Sequence, residues 1–64
     1  MKNKISELRK AQNLTQRQLA EKLNIHYQVF QRWEKGERAP TVDTAIRLAR
    51  ALNTTVEELF DIDD

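Results

Sequence analysis

The sequence has no cysteine among its 64 residues. This absence excludes a disulfide framework and every metal site built on thiolates, and it is typical of proteins that work in a reducing cytoplasm. Hydrophobic runs of membrane-spanning length are also absent, and the chain does not open on a signal-peptide pattern. We therefore expect a cytoplasmic protein without a membrane partner.

Glycine, histidine and serine each occur once, so the chain has few candidate catalytic or phosphate-binding residues. The single glycine, Gly36, cannot form a glycine-rich phosphate loop. His26 has no carboxylate at ligand spacing, and Ser6 has no plausible base partner. The acidic tail at 61–64 lacks the glycine and closing glutamate of a calcium-binding loop. We expect neither an enzyme nor a cofactor, metal or small-molecule ligand.

Charge is unevenly distributed along the chain, although the formal net charge is only +1. Residues 1–38 contain nine Lys or Arg against four Glu, whereas residues 39–64 contain two Arg against six acidic residues. Affinity for phosphate depends on the local basic surface rather than on the total charge. The asymmetry favours a basic face for nucleic acid over an ordinary solvated surface.

Hydrophobic periodicity predicts an all-α chain folded as one domain over residues 1–64. No alternating run is long enough to predict a β-strand. The five expected helices lie at about 2–12, 16–23, 27–35, 42–52 and 56–61. The inward positions predicted for the last two helices are Val42, Ala45, Ile46, Ala49, Leu52, Val56, Leu59 and Phe60.

Helix-capping residues mark where these helices begin. Thr15 precedes the second helix, and Gln18 three residues later completes a capping box. Thr41 is the expected cap of the fourth helix. Thr55 is the expected cap of the fifth, where Glu58 predicts a second capping box.

Asparagine and glycine mark where helices end. Asn13, Asn24 and Asn53 each follow a predicted helix, and Asn tolerates the left-handed conformation better than most residues. We expect positive φ at two or more of these three positions. Gly36 is expected to end the third helix in the same conformation.

Residues 15–36 therefore predict two short helices joined by a tight turn. This is the helix-turn-helix arrangement, in which the second helix enters the major groove of DNA. Phe30 and Trp33 are expected in the core. The polar residues of the opposite face are Tyr27, Gln28, Gln31 and Arg32.

Arg can pair with guanine and Gln with adenine through two hydrogen bonds each. The simpler interpretation of the same residues is an ordinary polar helix surface, and Tyr27 could merely cover the turn.

The chain resembles the Cro/CI-type helix-turn-helix family, which includes the lambda and 434 phage repressors. The resemblance rests on four stretches in the same order: LRKAQNLTQRQLAEKLNI, WEKG, the loop with Pro40, and AIRLARALNTTVEELF. It implies a compact five-helix, lambda-repressor-like fold and a DNA-binding transcriptional regulator. His26 departs from the family, because Ser or Thr usually caps the third helix there.

The resemblance also implies roles for particular residues. An ion pair between Arg9 and Glu34 would hold the third helix against the first. The expected base-contacting residues are Tyr27, Gln28, Gln31 and Arg32. The expected phosphate-contacting residues are Gln16, Arg17, Lys35 and Arg38.

A domain of this size covers only a few base pairs, so useful specificity predicts a homodimer on a palindromic DNA operator. The expected dimer surface includes Val56, Phe60 and Ile62. We expect a repressor, although the choice between activation and repression depends on where the operator lies. The main alternative is a protein-interaction module, such as an antitoxin or a bridging adaptor.

Overall fold

A computed structural model describes residues 2–61 of the chain. The predicted all-α fold is confirmed, and five helices form most of the described structure. The helices are α1 (Ile5–Ala11), α2 (Gln16–Lys22), α3 (Tyr27–Lys35), α4 (Val42–Ala51) and α5 (Val56–Leu59).

Two short strands, which the sequence did not predict, join the ends of the described chain. Strand β1 (Lys2–Asn3) pairs antiparallel with β2 (Phe60–Asp61), and Asn3 lies opposite Phe60. As a result, α1 begins three residues later than predicted and α5 ends at Leu59. Strands of two residues show no alternation that could be read from the sequence. Their pairing depends on contacts between distant parts of the chain.

The capping predictions were right at α2 and only partly right elsewhere. The Thr15 hydroxyl accepts from the Gln18 backbone N–H at 3.0 Å, and Gln18 Oε1 accepts from the Thr15 N–H at 2.8 Å. Thr55 accepts from the Glu58 N–H at 3.2 Å. The second capping box is incomplete because the Glu58 carboxylate instead accepts from the Thr54 hydroxyl.

Thr41 immediately precedes α4, at the cap position, but makes no capping bond to the backbone. Its hydroxyl instead donates to Asp43 Oδ1 at 2.8 Å and lies 3.0 Å from the Thr44 hydroxyl. The bond from Thr41 holds the pKa of the Asp43 carboxyl below its ordinary value. The predicted cap was therefore right in position and wrong in mechanism.

All three asparagine turns adopt positive φ, as predicted. The φ angles are 59° at Asn13, 57° at Asn24 and 57° at Asn53. Gly36 ends α3 with φ at 77°. These left-handed residues let the chain reverse within one or two residues of each helix end.

The core lies between the helices and contains Ile5, Leu19, Ala20, Leu23, Phe30, Trp33, Ala45, Leu48, Ala49, Leu52, Leu59 and Phe60. The predicted inward face of α4 was partly wrong. Val42 is 79% exposed and Ile46 is 40% exposed, whereas Leu48 is fully buried. A helix with apolar residues around more than half of its circumference offers two overlapping faces, and tertiary packing selects one of them.

Candidate nucleic-acid interface

The α2–α3 unit is held by a small set of core contacts. Leu19 and Ala20 of α2 are buried, and the Ile25 N–H donates to the Ala20 carbonyl at 2.9 Å across the turn. Phe30 and Trp33 bury the inner side of α3, with their rings edge to face at 6.0 Å. The core role predicted for both aromatic residues is confirmed, and the opposite side of α3 is left facing outward.

Gln28 and Arg32 lie one helical turn apart on this outward side, and both are exposed. No side-chain hydrogen bond or ion pair within residues 2–61 uses either of them. Their amide and guanidinium groups can therefore reach a ligand without first breaking a bond inside the protein.

The residues predicted to contact phosphates surround α3. Lys35 lies in its last turn, and Arg38 lies in the loop that follows; both are exposed. Arg17 is exposed in the first turn of α2, whereas Gln16 beside it is half-buried. Three cations thus lie near the two ends of the α2–α3 unit.

Arg9 and Glu34 form an ion pair that joins α1 to the end of α3. Arg9 Nε lies 2.7 Å from Glu34 Oε2, and the exposed fractions of the two side chains are 9% and 8%. Arg9 Nη1 also donates to the Leu14 carbonyl at 2.7 Å. Removing one partner of such a pair leaves an uncompensated buried charge, which typically costs about 3–5 kcal/mol.

Three further hydrogen bonds extend from this ion pair across α2 and α3. Gln16 Nε2 donates to Glu34 Oε1 at 2.8 Å. The Tyr27 hydroxyl donates to Gln16 Oε1 at 3.3 Å, and Gln31 Nε2 donates to the Tyr27 hydroxyl oxygen at 3.0 Å. We call the set Arg9, Glu34, Gln16, Tyr27 and Gln31 the polar relay. The Tyr27–Gln16 bond is long for an O–H···O contact and is its weakest link.

Arg17 adds a contact that the sequence did not reveal. Its guanidinium carbon lies 4.2 Å from the centre of the Tyr27 ring, which is a cation–π arrangement. The two residues are ten positions apart and meet only because the turn brings α2 and α3 together. No local sequence pattern signals such a pair.

Two of the three residues predicted for a dimer surface lie in α5 and β2. Val56 is half-buried and Phe60 is buried. Ile62, the third predicted residue, lies outside the described residues. Val56 and Phe60 line an open apolar groove of about 240 Å³. The other residues of this groove are Ala39, Pro40, Val42, Ala45 and Ile46. Sequence reasoning missed Val42 and Ile46 as surface residues because it placed both in the core.

Residues 2–61 contain no group of three or more His, Cys, Asp or Glu side chains placed to hold a metal ion. None of the five helices between residues 2 and 61 is long and apolar enough to cross a membrane.

Comparison with known proteins agrees with the helix-turn-helix fold. A family model described as "Helix-turn-helix" matches residues 5–59. The chain is 34% identical over 59 residues to the cryptic phage CTXphi transcriptional repressor RstR of Vibrio cholerae. The matched residues are 92% of this chain and 53% of that protein. This chain therefore spans about half the length of RstR.

Two other relatives are matched over more of their own length. An HTH-type transcriptional regulator of Methanocaldococcus jannaschii is 36% identical over 64 residues, which is 100% of this chain and 97% of that protein. Control protein C.SmaI of Serratia marcescens is 41% identical over 56 residues, which is 88% of this chain and 67% of that protein.

Proposed function

The chain belongs to the Cro/CI-type helix-turn-helix family of DNA-binding transcriptional regulators, and we propose that it represses transcription as a homodimer bound to a palindromic operator. In this proposal α3 lies in the major groove of each half-site. The phage relative RstR is named a transcriptional repressor, which supports repression.

The observation that carries the proposal is the exposed pair on α3. Gln28 and Arg32 are one turn apart, exposed and without partners inside residues 2–61. Because Arg pairs with guanine and Gln with adenine through two hydrogen bonds, these two residues read bases in the proposed complex. In the same proposal, phosphates around these bases are contacted by Gln16, Arg17, Lys35 and Arg38.

The proposed dimer is two-fold symmetric, so each chain contributes the same surface. We assign this surface to the apolar groove, with Val42, Ile46 and Val56 as its contacting residues. Val42 and Ile46 are the large hydrophobic residues that the described chain leaves exposed. Phe60 supports the groove from within, because it is only 7% exposed. The groove is lined almost wholly by apolar side chains, which is characteristic of the centre of homodimer interfaces.

The proposal also covers the domain organisation of the chain and the absence of catalysis. Residues 1–64 act as one domain, and DNA binding requires neither catalysis nor a cofactor. The cytoplasmic location expected from the sequence stays a prediction.

The experiment that tests the function is selection of bound sequences from a random duplex library by the purified chain at moderate salt. A palindromic motif with half-sites about one helical turn apart is the expected result. A single half-site would retain DNA recognition and exclude the homodimer. Absence of enrichment, with binding that disappears as salt rises, would reject specific recognition and favour the protein-interaction alternative.

The matched control for this selection is the Gln28→Ala/Arg32→Ala double variant. Both positions are exposed, so the substitutions leave the core unchanged. We expect the double variant to bind DNA through its phosphate contacts and to enrich no motif. Retention of the wild-type motif by this variant would remove both residues from base recognition.

A further inference from the structure

The donors and acceptors of the polar relay follow one order along the chain of hydrogen bonds, and Glu34 determines that order. An ionised carboxylate only accepts hydrogen bonds. Glu34 Oε2 accepts from Arg9, so Glu34 Oε1 is left to accept from Gln16. The Gln16 amide must therefore turn its NH₂ group towards Glu34 and its oxygen towards Tyr27. The oxygen and nitrogen ends of this amide have similar shapes, but the hydrogen bonds of Glu34 and Tyr27 permit one orientation.

The same logic passes from Gln16 to Gln31. The Tyr27 hydroxyl has one hydrogen, and Gln16 Oε1 accepts it. Tyr27 can then only accept from Gln31, which must present Nε2 to it at 3.0 Å. Gln31 Oε1 is left pointing away from this bond, and no hydrogen bond among residues 2–61 uses it. Gln31 is half-buried on the outer side of α3.

Tyr27 itself is largely occupied by protein groups. Its hydroxyl donates to Gln16 and accepts from Gln31, while one face of its ring lies 4.2 Å from the Arg17 guanidinium. A residue bonded in this way is poorly placed to read a base edge directly. It is well placed to hold its neighbours in one orientation.

We propose that Tyr27 is a positioning residue that fixes the Gln31 amide, so that Gln31 reads a base whose major-groove edge carries a hydrogen-bond donor. Adenine N6 and cytosine N4 are such donors, whereas guanine and thymine present only acceptors there. Adenine is preferred, because the second hydrogen of Gln31 Nε2 can also donate to adenine N7. This inference rests on the proposed function, and it replaces the direct base contact that the sequence predicted for Tyr27.

The test compares Tyr27→Phe, Gln31→Ala and the double variant with the wild-type chain on the selected operator. Tyr27→Phe removes the hydroxyl and keeps the ring under Arg17. We expect Gln31→Ala to lower the preference for adenine at one base pair by about tenfold. Tyr27→Phe should lower the same preference at the same base pair by about fivefold. The double variant should be no worse than Gln31→Ala, because coupled residues are not additive.

Two readouts separate positioning from a general loss of structure. The salt dependence of binding should not change in Tyr27→Phe, because no phosphate contact is removed. In the free protein, the Nε2 hydrogen signals of Gln31 in an NMR spectrum should shift in Tyr27→Phe and not in Arg32→Ala. Arg32→Ala is the matched control because it changes α3 one position away without touching the polar relay.

Several results would overturn the inference. One is an unchanged preference for adenine in Tyr27→Phe. Another is an effect of Tyr27→Phe at a different base pair that adds to the effect of Gln31→Ala, because this would mean that Tyr27 contacts a base itself. A preference for guanine or thymine at the Gln31 position would contradict the assigned direction. If the wild-type chain enriches no sequence, the proposed function and this inference fail together. If it enriches a motif that Tyr27→Phe reproduces, only the inference fails.

Discussion

At the scale of single residues, the outer side of α3 contains two kinds of polar side chain. Gln28 and Arg32 are exposed and unbonded within residues 2–61, whereas Tyr27 and Gln31 are half-buried and bonded to each other. The sequence alone placed all four residues on one face of the helix, and each has a side chain that can contact DNA. Exposure and hydrogen bonding distinguish them. Residues of the first kind should act independently of one another and those of the second kind should act together.

Arg32→Ala is expected to weaken operator binding by about 1–3 kcal/mol and to relax the preference at one base position, because it removes a two-bond contact to a base. Competition binding with the selected operator and its single-base variants measures both effects. Arg50→Ala, which removes the same charge from the exposed surface of α4, is the matched control. Equal losses of operator affinity in the two variants would mean that Arg32 contributes only its charge and reads no base.

Lys35→Ala should behave differently, because a phosphate contact carries no sequence information. We expect weaker binding to operator and random duplex alike, with a slope of log affinity against log salt that is smaller by about one unit. Titrations at four or more salt concentrations measure the slope. A loss confined to the operator would show instead that Lys35 takes part in base recognition.

At the scale of secondary-structure elements, the two ends of α3 are stabilised in different ways. Its first residues lack a side-chain cap, because His26 makes no capping bond. Its last turn is held by the left-handed Gly36 and by the ion pair of Glu34 with Arg9. The Tyr27 hydroxyl links the beginning of α3 to Gln16 of α2, and Gln31 Nε2 donates to the same hydroxyl oxygen from one turn further along α3. The departure from the family at His26 is thus accompanied by a set of side-chain bonds between the two helices.

The capping geometry predicts a difference between two threonines. Thr15→Ala should lower the free energy of unfolding by about 1 kcal/mol, because the Thr15 hydroxyl accepts from the backbone of α2. Thr41→Ala should have a smaller effect, because Thr41 makes no capping bond to the backbone of α4. Urea denaturation of the two variants measures both values. Equal destabilisation would mean that the Thr41 hydroxyl is as important to α4 as the backbone cap is to α2.

At the scale of the whole molecule, the chain separates a basic DNA-binding half from an acidic half. The α2–α3 unit lies in residues 1–38, with nine basic and four acidic residues, whereas α4 and α5 belong to the half with two basic and six acidic residues. The apolar groove is formed mainly by this second half. Two copies that meet through their acidic halves would leave both basic faces available for phosphates.

Val42→Glu tests the proposed dimer surface without disturbing the core, because Val42 is 79% exposed. Across a two-fold axis the substitution introduces like charges from both copies, which oppose association. We expect a lower dimer fraction in sedimentation equilibrium and weaker binding to the full operator, with affinity for a single half-site unchanged. Gln12→Glu adds the same charge at the exposed residue that follows α1 and should leave association intact. A dimer that tolerates Val42→Glu would place the interface elsewhere.

The local sequence was sufficient for several features of the fold. The bounds of α3, the capping box at Thr15 and the left-handed residues at Asn13, Asn24 and Asn53 were all predicted correctly. Each depends on hydrogen bonds or steric limits between residues at most a few positions apart. The sequence also identified Gln28 and Arg32 as outward residues, since the helical period and the positions of Phe30 and Trp33 determine that face.

Tertiary structure decided the features that depend on distant residues. The polar relay joins residues up to 25 positions apart, and the Arg17–Tyr27 contact spans the helix-turn-helix. Leu48 is buried and Val42 exposed because the folded chain covers only one of the two available apolar faces of α4. The β1–β2 pair forms because the folded helices bring residues 2–3 beside residues 60–61. Local periodicity gives the direction of a side chain from its own helix axis, but only the packing of other elements determines which groups it meets there.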